Sequence, residues 1–409
     1  MSLFNPKTFS TDWEIVIIDK LERIVGMEKL MAFSGVLKEE FDLPVIIDWN
    51  ALEIGMGVNA SFRQFFDRTC RITDRASQLL SEYDLDMFPV GAHPMAEIMN
   101  SSHIHVGTIS NECDAIRLES CMMKYAPVFG AIACNSPVSN SQITEFKSYR
   151  IRQLAHHCTR PISVRDPGLT QSTWGTDVLS KVYGHPTVEI RITDCASSRR
   201  LLAEMAVFIA AFTIRCGKQV SDYKPSKAEY KTSLVNRWSA AKYGLQASFR
   251  WDGANVPVVD IIREMMDECE DELRDFGVGK GDLQLLNLML DKRTCQADFI
   301  LDVLKRYPDI HMFTSVYSKL IRDWGIIDEY IGSGKPLDPM PVPDEDSIFN
   351  EHLAHIGDST HFYATREAMW YSPELADDIL ERMIREGHVN CTYTDSDGML
   401  LSRANGGGK

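Results

Sequence analysis

Apolar and ionisable side chains alternate one by one in four short runs: Asp12-Trp13-Glu14-Ile15-Val16, Leu52-Glu53-Ile54, His103-Ile104-His105-Val106-Gly107 and Thr187-Val188-Glu189-Ile190-Arg191-Ile192. A period of two marks a strand with unlike faces. In the last run Val188, Ile190 and Ile192 share one face, and Thr187, Glu189 and Arg191 share the other. In the third, Ile104 and Val106 oppose His103 and His105. The pattern predicts a sheet that rests its apolar face on helices and turns its charged face to a cavity.

Between these runs the period changes. Phe62 to Tyr83 carries apolar residues at helical spacing and reads as an amphipathic helix. Glu112 to Ala133 is a helix stopped before Asn135-Ser136-Pro137, because proline neither continues a helix nor lets its predecessor sit easily in one. Ala196 to Cys216 is apolar on most sides and predicts a buried helix. Pro44 to Ile47 and Met87 to Val90 are further short strands. From Val258 the chain becomes helical, with helices predicted over Val259 to Phe276, Asp282 to Tyr307 and His311 to Tyr330. Gly277-Val278-Gly279-Lys280-Gly281 reads as a turn, because it lacks the GxxxxGK[ST] spacing of a phosphate loop. A Gly/Pro/Asp-rich stretch from Gly332 to Asp344 predicts a linker, so the chain divides into a unit over 1–335 and an extension over 345–409. The extension reads as a helix from Ser372-Pro373 to Gly387, then a hairpin over His388 to Ser402.

Length and composition narrow the class. The chain has 409 residues, 44% of them hydrophobic and 25% charged, enough for an ordinary core. A formal net charge of -15 argues against nucleic acid or an anionic membrane as the main partner, though not against a nucleotide held by a local cluster of arginine and metal. The ten cysteines are scattered and form no CxxC pair, which predicts reduced core thiols and a cytoplasmic location. The longest apolar stretch, near Met205 to Thr213, is too short to span a bilayer.

Several carboxylates and two imidazoles on one sheet face repel and desolvate one another unless cations neutralise them. That points to a metal site with an arginine beside it, the equipment of phosphoryl chemistry. The residues alone leave other readings open. Glu189 and Arg191 could form a surface ion pair, His103 and His105 could be structural histidines, and His-x-His also fits a zinc hydrolase that has a third ligand.

Taken in order, the motifs carry more than each does alone. Asp12-Trp13-Glu14, Leu52-Glu53-Ile54, Gly91-Ala92-His93-Pro94, His103 to Gly107, Asn135-Ser136-Pro137, Ser148-Tyr149-Arg150, Thr187 to Arg191 and Asn236 to Leu245, with Thr294-Cys295-Gln296-Ala297 as a fainter match, resemble the glutamate–cysteine ligase-like carboxylate–amine ligases, relatives of glutamine synthetase. The first strand departs from that pattern, with Asp12 where a glutamate is usual.

The resemblance implies an α+β fold: a curved, mostly antiparallel sheet of the glutamine synthetase catalytic type, helices packed on one face, and a small C-terminal extension. It implies a reaction in which ATP phosphorylates a substrate carboxylate, by default the γ-carboxyl of glutamate or a similar amino acid, and a small amine displaces the phosphate. Asp12, Glu14, Glu53, His105 and Glu189 fall at metal-ligand positions for Mg2+, with Mn2+ also acceptable. Arg191 falls at the γ-phosphate and, with Glu189, carries the catalytic assignment. Arg150 and Arg237 are implied contacts to nucleotide phosphate or substrate carboxylate. His93 is expected to orient a loop. A homo-oligomer is implied by analogy. The same sheet could instead serve a phosphotransferase, an amide hydrolase or a non-catalytic binding protein.

Overall fold

The computed structural model describes residues 7–21, 23–48, 51–107, 112–139, 141–153, 176–181, 187–219 and 227–341, and beyond them 360–361, 385–386, 389–394 and 398–403. The elements run β1 (Thr8–Asp19), α1 (Met27–Phe41), β2 (Val45–Asp48), β3 (Ala51–Gly55), α2 (Phe62–Glu82), β4 (Leu85–Phe88), β5 (Ser102–Gly107), α3 (Glu112–Ala133), β6 (Val138–Ser139), β7 (Gln142–Ile143), α4 (Tyr149–Gln153), β8 (Val178–Lys181) and β9 (Thr187–Ile190). There follow α5 (Arg199–Gly217), α6 (Lys227–Tyr243), β10 (Ser248–Trp251), β11 (Ala254–Pro257), α7 (Val258–Glu268), α8 (Glu270–Asp275), α9 (Gln284–Lys292), α10 (Gln296–Arg306), α11 (Ile310–Leu320) and α12 (Ile326–Ser333). Last come β12 (Thr360–His361), β13 (Val389–Thr394) and β14 (Gly398–Arg403).

The main sheet is antiparallel, in the order β2-β3-β1-β5-β9-β8. The long strand β1 divides its length: residues 8–15 pair with β3 and β5, and residues 16–19 pair with β4. This change of partner curls the sheet. The apolar halves of the alternating runs, including Trp13, Ile15, Leu52, Ile54, Ile104, Val106, Val188 and Ile190, are buried in the core. Helix α5 packs against β1 and β5. It is buried along almost its whole length, as its all-round apolar sequence predicts, and it starts at Ser198, whose side chain accepts from the Leu201 N–H. Trp13 Nε1 donates to Ala196 O (3.0 Å), tying the strand to the turn that leads into that helix. The α+β class and the helix-backed antiparallel sheet are as the sequence predicts.

The later helices differ from expectation. Asp282 to Tyr307 is two helices, because Arg293 adopts φ 52° at the end of α9 and the Cys295 N–H is capped by Asp298 Oδ2 (2.8 Å) at the start of α10. The apolar period runs on through this break. Neither a left-handed arginine nor a cysteine cap is a usual stop or start signal. Likewise Val259 to Phe276 divides at Cys269, and His311 to Tyr330 divides before Gly325. Strands β13 and β14 pair as the expected hairpin, while the helix expected over Ser372 to Gly387 lies outside the described residues apart from 385–386. Among the described residues no helix is long and apolar enough to cross a membrane.

Candidate active site

Strand register places the charged positions together. Glu14 lies opposite Glu53, Asp12 opposite His103, and His105 opposite Glu189. In an antiparallel ladder, residues directly opposite share a face. Asp12, Glu14, Glu53, His103, His105 and Glu189 therefore stand on one side of four neighbouring strands, opposite the apolar core.

They form two clusters. Oxygen or nitrogen atoms of Asp12, His105 and Glu189 lie within 4.8 Å of one another, and so do carboxylate oxygens of Glu14, Asp48 and Glu53. His105 Nε2 is 2.8 Å from Asp12 Oδ2 and 3.6 Å from Glu189 Oε1. His103 stands between the clusters, its Nδ1 3.3 Å from Glu189 Oε1 and 3.7 Å from Glu14 Oε1. Ser101 fixes this ring. Its backbone N–H and its hydroxyl both donate to Glu14 Oε2 (2.7 Å each), so the hydroxyl oxygen is left to accept from His103 Nε2. A ring nitrogen facing two carboxylates must carry a proton or lie beside a cation.

Glu189 is the most enclosed member, 1% exposed, with Arg191 Nη1 at 2.7 Å on Oε1 and Lys181 Nζ at 2.9 Å on Oε2. Burial alone pushes its carboxyl up. The His103 hydrogen bond and the charges of His103, His105 and Arg191 overcome that and hold it well below the usual range. Asp12 is likewise lowered, with burial opposed by its bond to His105 and the two imidazole charges. Glu53 goes the other way. Burial first, then the charges of Asp12, Glu14, Asp48 and Glu189, push it up to about 8. Asp48 is raised by burial and by Glu14.

Both donor sets fit divalent ions. The three-carboxylate cluster offers the hard oxygens that magnesium requires, and one imidazole in the other also suits manganese. The mutual repulsion that raises Glu53 and Asp48 is what a bound cation relieves.

A pH effect follows for Glu53. Its folded value lies above its unfolded value of 4.5. The stability it contributes is fully present below about pH 4.5 and is lost as pH rises through about 8. In EDTA, Glu53→Gln should therefore melt higher than wild type at pH 8.5, with the gap closing toward pH 5. Added Mg2+ should favour the wild type instead. Parallel melting profiles for the two proteins would refute the assignment.

Arg191 is placed by two other arginines. Its N–H donates to Asp177 O (2.7 Å), and the Asp177 carboxylate is gripped by Arg237 Nε and Nη2 (2.7 and 3.0 Å). Arg150 is buried and donates to the carbonyls of Arg191 (3.0 Å) and Ile192 (3.2 Å). The sequence reading expected Arg150 and Arg237 to contact phosphate or substrate. Both guanidinium groups are engaged inside the protein, Arg150 on carbonyls that follow strand β9 and Arg237 on the Asp177 carboxylate and the Ile151 carbonyl.

Three of the remaining motifs, those at Gly91, Asn135 and Ser148, converge on Asp194. This fully buried carboxylate accepts from Asn135 N (2.8 Å), Ser136 Oγ (2.8 Å) and Ser148 Oγ (2.9 Å), and Arg150 Nη1 lies at 3.9 Å. Gly91 is glycine because a Cβ there would sit 2.4 Å from Asp194 Cγ. The nearby His93 accepts from Met95 N–H through Nδ1 (3.2 Å), and burial pushes it down to about 4, so it is a neutral loop brace. Asp194 is bridged to Ser101, the residue that holds Glu14 and His103. These motifs therefore support the charged face from beneath.

Sequence reasoning missed Asp48, Lys181, Asp177 and Asp194. Asp48 could have been found from Ile46 and Asp48 alternating against Val45 and Ile47. Lys181 and Asp177 lie in a stretch with no such pattern.

Comparison with known proteins bears on the same face. Residues 174–311, which include Glu189, Arg191 and Asp194, match the model of glutamate–cysteine ligase family 2. The chain resembles the glutamate–cysteine ligases. It is 20% identical over 351 residues to the provisionally assigned glutamate–cysteine ligase 2 of Janthinobacterium sp. (strain Marseille), covering 72% of this chain and 91% of that protein. It is 28% identical over 201 residues to a provisionally assigned glutamate–cysteine ligase 2-1 of Frankia casuarinae, covering 42% and 52%. Among solved structures, the glutamate–cysteine ligase of Francisella tularensis in complex with AMP superposes with a TM-score of 0.57 at 11% identity, over 80% of this chain and 92% of that one. The bifunctional glutathione synthetase of Pasteurella multocida superposes with a TM-score of 0.52 at 10% identity, over 78% of this chain. The match spans about half of that longer enzyme, 53%. At these identities the structural likeness is one of fold, and the glutamate–cysteine ligase-like resemblance read from the motifs holds.

Proposed function

We propose that this chain is an ATP- and Mg2+-dependent carboxylate–amine ligase that activates a carboxylate, by preference the γ-carboxyl of glutamate or a similar amino acid, as an acyl phosphate and joins it to a small amine. The observation that carries this reading is the pair of clusters on one sheet face, one of them sharing Glu189 with Arg191.

The roles follow from placement. Asp12, His105 and Glu189 hold one divalent ion, and Glu14, Asp48 and Glu53 hold another. When bound, the ions supply charge neutralisation for the polyphosphate and the transferring phosphoryl group. Arg191, whose side chain is one-fifth exposed, presents donors to the oxygens that gain charge during transfer. Arg237 and Arg150 keep the Arg191 backbone fixed, so they act as positioning residues. Because phosphoryl transfer depends on alignment and charge more than on covalent help, no nucleophilic cysteine or serine is required.

We assign the catalytic unit to 1–335 and treat 345–409 as an extension, in a cytoplasmic homo-oligomer. Deleting residues 340–409 and measuring oligomeric mass beside turnover separates an assembly role from a catalytic one.

The test is a phosphate-release screen with ATP and Mg2+, crossing a panel of amino acids with a panel of amines. The expected result is release that requires one member of each panel, with an amide as product. ADP formation without any amine, or a phosphorylated product that accumulates, would replace this reading with a phosphotransferase. Amide cleavage without ATP consumption would replace it with a hydrolase.

A further inference from the structure

Glu189 carries two cations at once, one on each oxygen. Arg191 comes from its own strand and Lys181 from edge strand β8, where Lys181 lies opposite Thr187 and Leu179 opposite Glu189. Lys181 therefore stands on the charged face, and its side chain is 43% exposed, open to anything bound above the sheet. A divalent ion held by Asp12, His105 and Glu189 takes carboxylate electron density that Lys181 and Arg191 otherwise share. A doubly charged neighbour weakens the hold of both cations on that carboxylate, and the more exposed of the two, Lys181, is the better able to leave. The flexible four-carbon stem lets the ammonium leave Glu189 and reach a new acceptor nearby.

We propose that Lys181 is a phosphate-contact residue: it neutralises Glu189 in the metal-free protein and transfers to a phosphate oxygen of the nucleotide when the metal enters. This rests on the nucleotide- and metal-binding part of the reading above. No bond is made or broken in the step, which exchanges one ionic contact for another. The inference makes a prediction of opposite signs that a simple ion pair does not. Removing the ammonium takes away a competitor for Glu189, so metal alone binds more tightly. It also takes away a phosphate donor, so nucleotide binds more weakly.

The experiment uses the full chain and two probes. Mn2+ is titrated without nucleotide, by electron paramagnetic resonance, and a non-hydrolysable ATP analogue is titrated in saturating Mg2+, by calorimetry. For Lys181→Met the expected result is Mn2+ affinity about two- to fivefold tighter, as a partly exposed ion pair allows. Analogue affinity should be about tenfold weaker, the loss expected of one hydrogen bond between charged groups. Lys181→Arg should restore analogue binding. Equal weakening of both ligands would make Lys181 a structural support and overturn the proposal. So would unchanged analogue affinity.

The failures are separable. Wild type that binds Mn2+ but no analogue overturns the ligase reading and this inference together. Wild type that binds both, with Lys181→Met leaving analogue affinity intact, overturns the inference alone. The opposite-sign signature in a protein that never shows amine-dependent phosphate release overturns the ligase reading alone.

Discussion

Glu189→Gln lowers amine-dependent phosphate release by about a thousandfold or more, the scale of losing a preorganised charge at a reacting centre, and leaves the protein folded. Glutamine keeps the volume and one acceptor, so the apolar underside of β9 stays packed. The negative charge is what disappears. His103, His105, Arg191 and Lys181 then face each other around a neutral amide, and the Asp12–His105 cluster loses one of its two carboxylates. Mn2+ titration should show the loss of one binding site while the thermal transition remains cooperative. Arg191→Ala should reduce turnover comparably but spare metal binding, since the guanidinium is not itself a ligand. Wild-type-like turnover in either variant would remove the site assignment.

The Glu189 carboxyl also sets the sign of an acid effect. Its folded value is depressed below 4.5, so its contribution to stability is present above that value and is lost as pH falls further. Glu189→Gln should flatten this part of the acid limb in a pH series of melts.

Asp194→Ala destabilises the protein by about 3–5 kcal/mol, as expected when a buried charge and several buried donors lose a common partner. It removes the acceptor of the Asn135 N–H and of two serine hydroxyls, and the carboxylate charge beside the Arg150 guanidinium, all in a region without solvent access. Gly91→Ala damages the same point from the other side, by driving a methyl group into the carboxylate. The two changes should therefore be strongly non-additive. Once residue 194 is alanine, the contacts with Cγ (2.4 Å) and Oδ2 (2.7 Å) are gone while that with Cβ (2.7 Å) remains, so the double variant should lose less than the sum of the singles. Urea melts of the four proteins measure this. Additive losses would show that Gly91 is required for another reason.

The sheet was legible because its strands have unlike faces. Glu14, Glu53, His105 and Glu189 each alternate with buried aliphatics, and burial is a strong constraint on which way a strand residue points. Which strand lies beside which is not written in that alternation. It follows from long-range pairing, so the division into two clusters emerged only from the register. The internal bonds of Arg150 and Arg237 were not legible for a related reason. A basic residue in a motif looks the same whether its partner is a ligand or a carbonyl of its own chain. Asp194 escaped notice because a buried acid among Ser, Thr and Cys has no periodic signature. The helix breaks at Arg293 and Cys269 were hidden by uninterrupted apolar spacing, with caps made from residue types that rarely serve there.

The two clusters hang from a single strand, Asp12 belonging to one and Glu14 to the other. Residues two apart on an extended chain are about 6.7 Å apart, twice the rise per residue. The polypeptide's own repeat thus acts as a caliper between the clusters, and no side-chain substitution can reset it. Only an inserted residue that buckles β1 would change that interval, and it would turn every following side chain to the opposite face.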